Sequence, residues 1–350
     1  MPRDVTSRIV RNSFNLLRAE NGVARDIVAI FDRAALDMEA IVLRRDPTAV
    51  LPRNRRRRVR ALDRELGAAL DQAFKEARAL GLGSTVTVAQ IQEGFALGVL
   101  ETATTGVDVA IGAKRQSAAF WRRLILDTEI EGGLFDDWLK TQNANAAAAT
   151  QRQIQLGLSQ GEPVESIVRR VRGRKVGNRL VGGTVNIARD QVVTLVRTAI
   201  NQISNDAHFE TYSQHPNVTE EFRYVATLDS RTSDICIGLD GKTFRYDDPA
   251  AKRPPQHFRC RSTIVPEIKW RDLGLTPPSE GTRASEGGPI RASTDYAEWL
   301  RGQDAATIDE VLGPARGKLF RSGKLDVRRL ARSDGSSFTL DELKRRTEGM

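Results

Sequence analysis

The apolar residues of this chain change their period partway along it, and that change limits the folds open to it. Up to about residue 160 they recur every three or four positions, the spacing of one helix face. Val10, Phe14 and Leu17 begin the pattern, and Ile27, Ile30, Phe31, Ala34, Met38 and Ile41 continue it. The turn-rich DPTAVLPRN interrupts it. Leu62, Leu66, Leu70, Ala73 and Ala77 then predict a second helix from about Arg56, ended by GLGST. Val88, Ile91, Phe95 and Val99 make a third stripe, and segments 118–130 and 134–158 add two more helices. The last passes through NANAAAAT, whose alanines favour helix and permit close approach of a neighbour.

After Gly161 the texture differs. GEPVESIVRRVRG reads as a short helix, and NIARDQVVTLVRTAINQISNDAHFETY as a long one burying Val192, Val196, Ala199, Ile203 and Ala207. Three strand-like runs follow: EEFRYVATLD, which alternates Phe222, Tyr224 and Ala226; GKTFRY after the turn LDG; and RSTIVPEI. Residues 270–294, rich in Pro, Gly and Ser, predict a flexible or extended linker. The tail returns to short helices, with FTLDEL as a capped start at Thr339. The expected fold is therefore α+β and mostly α. It comprises a helical domain over 1–160, a small α+β domain with a short antiparallel sheet over 161–269, the linker 270–294 and a helical tail over 295–350. A helical bundle is the default for the first part, and docking on a larger assembly is the alternative use of such helices.

With 350 residues, 40% of them apolar, the chain can bury a real core. No stretch approaches the roughly 18 apolar residues that span a bilayer, and the amino terminus has no apolar signal core. We expect a soluble protein of a reducing cytoplasm, in which two cysteines are too few for a disulfide framework. The net charge of +9 is clustered. Between Arg44 and Arg60 there are eight arginines against one aspartate, and a second run extends from Val168 to Arg179. Arg55, Arg56, Arg57 and Arg58 in the first, and Arg169, Arg170, Arg172, Arg174 and Lys175 in the second, are candidate nucleic-acid contacts. A solvated helix face explains such runs equally well, and no interleaved aromatics mark a single-strand stacking platform.

One constellation carries chemistry. Cys236 is followed after twenty residues by His257, and after two more by Cys260. Thiolate and imidazole suit a soft divalent metal such as a structural zinc, but such a site takes four ligands and three are evident. Asp229, Asp234, Asp240, His208 and His215 are candidates for the fourth. The same residues could instead be packed, with buried cysteines acting as small apolar groups. A Cys236 nucleophile with His257 as base and Asp229 as orienter is the third reading, unaccompanied by any oxyanion-forming glycine turn.

The strings LVRTAIN, ATLDSRTSDICIGLDGKTF and PPQHFRCRS, in that order, resemble the phage head-morphogenesis family, the Mu F-like minor head proteins. Arg197 and Thr198 match its helix pair, and Asp229, Arg231 and Thr232 its second element. Cys236 matches its cysteine, Asp240 and Gly241 its turn, and Pro254, Pro255, His257, Cys260 and Arg261 its close. The tail, with VLGPARGKLFRSGKLDV, looks like the continuation common in such proteins. Ser233 and Ser262 stand where the family often has cysteine, and Ala199 where it often has Glu, which weakens a metal claim and leaves the motif's shape.

The resemblance implies a non-enzymatic minor head protein of a tailed phage, acting at the portal vertex during procapsid morphogenesis and in DNA packaging or ejection. Its implied partners are the portal protein, major capsid or scaffold proteins and packaged double-stranded DNA, with no membrane. Its implied place is the head interior of the virion, after the host cytoplasm. Asp229 and Asp240 would cap turns, Arg231 would fork onto a carboxylate, and the two prolines would fix the approach to His257. The alternatives are a DNA-binding protein acting outside any particle, and an enzyme, either a zinc-dependent nuclease or a cysteine hydrolase.

Overall fold

A computed structural model describes residues 4–49, 52–112, 115–177, 179–279, 281–332 and 336–348, without the side chains of 52–55, 179, 344 and 346–348. The fold is α+β and mostly α, with a long helical first half, small antiparallel sheets and short carboxyl-terminal helices. The chain forms two compact units. One takes the residues up to Leu17, Val88–Ser117 and everything from Asn201; the other takes Arg18–Thr87 and Ala118–Ile200. Segment 1–160 thus supplies residues to both. Among the described residues no helix is long and apolar enough to cross a membrane.

Three helices are long: α1 (Val5–Arg45), α2 (Pro52–Ala103) and, further on, a helix over Thr184–Ser213. Between α2 and that helix come α3 (Ala118–Asp127), α4 (Phe135–Ser159), α5 (Val164–Arg172) and a short hairpin of β1 (Arg174–Val176) and β2 (Arg179–Val181). The helix over Thr184–Ser213 is therefore α6. In the second unit the predicted stripes are the buried ones. Ile27, Phe31, Ala34 and Met38 of α1 and Leu62, Leu66, Leu70, Ala73 and Ala77 of α2 are all buried, and Phe31 meets Phe74 edge-on at 5.3 Å between centroids. Each of the Leu, Ile, Phe and Met side chains removed from water contributes about 1.5–3 kcal/mol before entropy is charged against it.

GLGST does not end the helix, as its glycines and threonine predict; α2 runs through it. Thr85 bonds back to the Gly81 carbonyl at 2.7 Å, and a Cβ added at Gly81 would lie 2.8 Å from Val196 of α6. The glycine is a point of close helix approach rather than a stop signal. Two stripe residues also face outward: Phe14 is 49% and Ile91 60% exposed.

The first unit holds the sheet that the period-two segments predict. Strand β3 (Thr219–Val225) is central. On one side β4 (Thr243–Arg245) pairs with it antiparallel, Phe222 opposite Phe244; on the other β5 (Thr263–Ile268) does so, Tyr224 opposite Ile264. Phe222, Tyr224 and Ala226, which the alternation groups together, are buried, and so is Val225 between the last two. Phe222, Val225 and Ile264 pack with Val5 and Ile9 of α1, Leu100 of α2 and Tyr212 of α6. Between β3 and β4 lies α7 (Asp234–Leu239), which starts on Ser233 as its cap.

The segment expected as a linker, 270–294, contains a hairpin of β6 (Thr282–Ser285) and β7 (Gly288–Arg291). Its composition predicts no core residue, yet Arg283 is 4% exposed. The reason is a partner 43 residues upstream, described below. After it come α8 (Tyr296–Arg301), α9 (Ala305–Leu312), α10 (Pro314–Arg321), a single 3-10 turn at Val327–Arg329, and α11 (Leu340–Glu348). Their core joins Trp299, Leu300, Ile308, Phe320 and Val327 to Leu228 and to Ile237 of α7. Thr339 caps α11: Glu342 N–H donates to its hydroxyl, and the Glu342 carboxylate accepts from Thr339 N–H.

Candidate metal centre

Cys236, His257 and Cys260 converge. Cys236 occupies the first turn of α7, where its N–H donates to the Ser233 hydroxyl at 3.4 Å. His257 and Cys260 lie on the loop before β5, whose Pro254–Pro255 bond is cis, and Cys260 N–H donates to the His257 carbonyl at 3.1 Å. The Cys236 sulfur stands 3.3 Å from His257 Nε2 and 3.7 Å from the Cys260 sulfur. Both cysteines are buried and free, and the histidine is half-buried.

The surroundings favour a lone pair aimed inward. His257 Nδ1 donates to the Phe258 carbonyl at 2.8 Å, which leaves Nε2 facing Cys236 and, when the ring is neutral, its lone pair aimed there. Tyr224 of β3 places its hydroxyl 3.2 Å from the Cys236 sulfur and 4.0 Å from that of Cys260. Ser262, buried, bonds to the same hydroxyl and to Cys236. The two thiols shift each other in opposite directions. A hydrogen bond from Cys236 lowers the Cys260 thiol well below its ordinary value against the opposing effect of burial. Cys236 is raised by holding that bond to Cys260, and then by burial.

The donor set fits zinc in part. Tetrahedral zinc with Zn–S near 2.3 Å separates two sulfur ligands by about 3.8 Å, close to the spacing found. A second-sphere carbonyl on the far ring nitrogen is also usual for ligating histidine. Cys236, His257 and Cys260 would hold the ion, which would supply folding energy rather than catalysis. The expected fourth ligands are all engaged elsewhere. Asp234 pairs with Arg316 at 2.9 Å, His208 bonds Gln92 at 3.0 Å, and His215 bonds the Thr211 carbonyl at 2.8 Å. Asp229 and Asp240 lie in the two ion pairs that follow. Among the described residues only the three predicted donors form a metal-capable group.

Asp229 is a turn cap and more. It accepts from Arg231 N–H at 3.0 Å and from the Thr232 hydroxyl at 3.2 Å, and Arg261 forks onto both carboxylate oxygens, one bond at 2.8 Å. The fork expected of Arg231 belongs to Arg261, because Arg231 is 78% exposed and only reaches 3.5 Å. Burial opposes ionisation of Asp229, and the Arg261 guanidinium nevertheless holds its carboxyl below the usual value. The Tyr296 hydroxyl donates to the Asp229 carbonyl at 2.7 Å.

Asp240, next to Gly241 with its positive φ of 81°, accepts from Ala226 N–H and Tyr296 N–H, each at 2.7 Å, and from Arg283. Arg283, Tyr224 and Tyr296 are the functional-looking residues that sequence reasoning missed. Only Tyr224, inside an alternating strand, carried any signal. Arg197 and Thr198 lie on α6 and bond Asn21 and the Thr194 carbonyl.

The basic candidates divide. Arg56 and Arg57 are exposed, Arg58 is half-buried near Asp46, and the Arg55 side chain lies outside the described residues. Arg170 is held by Glu162 at 2.5 Å and Arg172 by Glu39, which neutralises them, whereas Arg169, Arg174 and Lys175 are exposed.

Fold and cluster together define an α+β protein whose three-stranded sheet is closed by two buried cysteines and a half-buried histidine. Residues 148–265, about a third of the chain, match the family model described as phage Mu protein F like protein, so this stretch is a Mu F-like segment. The Mu-like prophage FluMu F protein of Haemophilus influenzae is 34% identical over 116 residues, 31% of this chain and 27% of that protein. The chain thus aligns with about a quarter of that relative's length. No solved structure matches it.

Proposed function

We propose that the chain is a minor head protein of a tailed bacteriophage, assembling at the portal vertex of the procapsid. The observation that carries this reading is the Mu F-like match over 148–265, which contains Cys236, His257 and Cys260. Its role is structural. Cys236 and Cys260 are 1% and 3% exposed, so a substrate has no approach to either sulfur, and His257 Nδ1 is turned to a carbonyl rather than to Asp229. The exposed Arg56, Arg57, Arg169, Arg174 and Lys175 would attract packaged DNA through counterion release.

The test is assembly with and without this chain. Procapsids isolated by gradient should contain it together with portal protein, and cross-linking should join the two. Its absence from procapsids and virions alike would overturn the proposal. Turnover of DNA or peptide by pure protein, abolished by Cys236→Ala, would do the same in favour of an enzyme.

A further inference from the structure

Helices α2 and α4 of the second unit enclose an unfilled seam. Gln151 Nε2 donates to Asp63 Oδ2 at 3.1 Å, and Asn143 Nδ2 donates to Asp71 Oδ1 at 2.6 Å. The order is reversed on the two helices, which are therefore antiparallel, and the eight-residue separation on each puts the two exposed rungs about 12 Å apart. Between them a cavity of about 230 Å³ is floored by Leu66, Gly67, Leu70, Ala147 and Ala148, with Asp63 at one end. A Cβ added at Gly67 would meet nothing within 4 Å. The alanines that the sequence marks for close approach thus face open space.

The polar groups here are one-sided. Asp63 Oδ1, at the cavity, and Asn143 Oδ1, on the second rung, are buried without a donor. Both are acceptors. Neither Asp63 nor Asp71 has an ion-pair partner among the described residues, in a chain with 54 lysines and arginines; each has only a neutral amide. Burial raises the Asp63 carboxyl, an effect a neighbouring cation would relieve. The cavity is smaller than the roughly 300–1,000 Å³ of small-molecule sites, so it suits one side chain rather than a free ligand.

We infer that this seam docks a basic amphipathic helix of a partner protein, seating one arginine between α2 and α4 with its guanidinium on Asp63. Arginine matches because its stem covers Leu66, Gly67 and Ala147 while its fixed fork offers several donors to oxygens that have none. A second cation seven or eight residues along the partner helix would reach Asp71.

The experiment uses the full chain with labelled alanine and leucine methyl groups, followed by NMR. The probe is a capped alanine-rich helical peptide with two arginines eight residues apart and a leucine between them. Saturable shifts are expected at Leu66, Leu70, Ala147 and Ala148. Binding should weaken at least tenfold when citrulline replaces arginine, and at least tenfold for Asp63→Asn. Gly67→Leu should abolish the shifts with the fold intact, because it adds helix propensity, its Cβ meets nothing within 4 Å and the rest of the side chain has the cavity to occupy. Absence of saturable shifts, equal binding of the citrulline peptide, or indifference to Asp63→Asn would overturn the inference. So would concentration-dependent broadening of the same methyls without peptide, which assigns the seam to a second copy of the chain.

Discussion

Arg283 lies on Asp240 in the most buried ion pair among the described residues, with side chains 4% and 0% exposed and a closest contact of 3.0 Å. The pair ties three sequence-remote pieces together. Arg283 also donates to the Thr294 carbonyl at 2.9 Å, and Asp240 holds the N–H groups of Ala226 and Tyr296. Removing one member of such a pair leaves an uncompensated charge and typically costs about 3–5 kcal/mol. Asp240→Ala should fall in that range by urea unfolding and expose the tail from Thr282 onward to protease. Arg283→Met should cost less, because two backbone donors still satisfy Asp240. Equal losses for the two variants would contradict this asymmetry.

Gly81 and Gly83 stand two residues apart in α2 and should respond oppositely to alanine. Alanine gains up to about 1 kcal/mol of helix propensity at either position. At Gly83 the new Cβ meets nothing within 4 Å, so the gain should appear as a higher melting temperature. At Gly81 it lies 2.8 Å from Val196, and overpacking of this kind costs about 1–3 kcal/mol. Stabilisation by Gly81→Ala would show that α6 does not press on α2 there.

The same glycines explain what could be read in the sequence. Local periodicity revealed α1, the start of α2, α6 and the β3 to β5 sheet, since one buried face repeats with each element's own geometry. It failed at GLGST, where a glycine chosen for contact with Val196 looks identical to one that ends a helix. It failed again over 270–294, where composition reads as linker although Glu286 and Gly287 form the two-residue turn of a hairpin. Arg283 was illegible because nothing local requires a buried cation; its reason is Asp240. The Cys236, His257 and Cys260 group was legible as ordered motifs, whereas Tyr224 and Ser262 join it only through the pairing of β3 with β5.

Asp206 and His208, on one turn of α6, should have opposing effects on stability. Burial raises the Asp206 carboxyl to about 6, offset by Arg253 at 3.5 Å and reinforced by Glu210. The folded chain therefore holds a proton that the unfolded chain releases near 3.8, and this stability is lost as pH rises from about 4 to 6. Burial lowers His208 to about 4, so its contribution is complete above 6.5 and is lost as pH falls toward 4. Each is on the order of 3 kcal/mol across its window. Relative to the parent, Asp206→Asn should grow more stable as pH rises from 4 to 6, and His208→Gln less stable as pH rises from 4 to 6.5. Urea titrations at pH 4, 5, 6 and 7 read both trends, and curves parallel to the parent's would refute them.

Zinc on Cys236, His257 and Cys260 is the remaining proposal, and Ser262 offers its sharpest test. Three donors spaced for a tetrahedron predict close to one zinc per chain in protein purified without chelator, released by acid as thiols and imidazole take protons. Chelation should lower thermal stability, and Cys260→Ser should abolish both the metal and the chelator's effect. Ser262 bonds Cys236 and Tyr224 from within the cluster, so Ser262→Cys presents a third sulfur to the same space. That variant should bind zinc at least tenfold more tightly, and cobalt substitution should give it the intense visible bands of thiolate ligation in a four-coordinate site. A parent chain free of zinc and indifferent to chelator would assign the cluster to packing alone. Tight cobalt binding by Ser262→Cys would then show that the geometry was ready and only the ligand count was short.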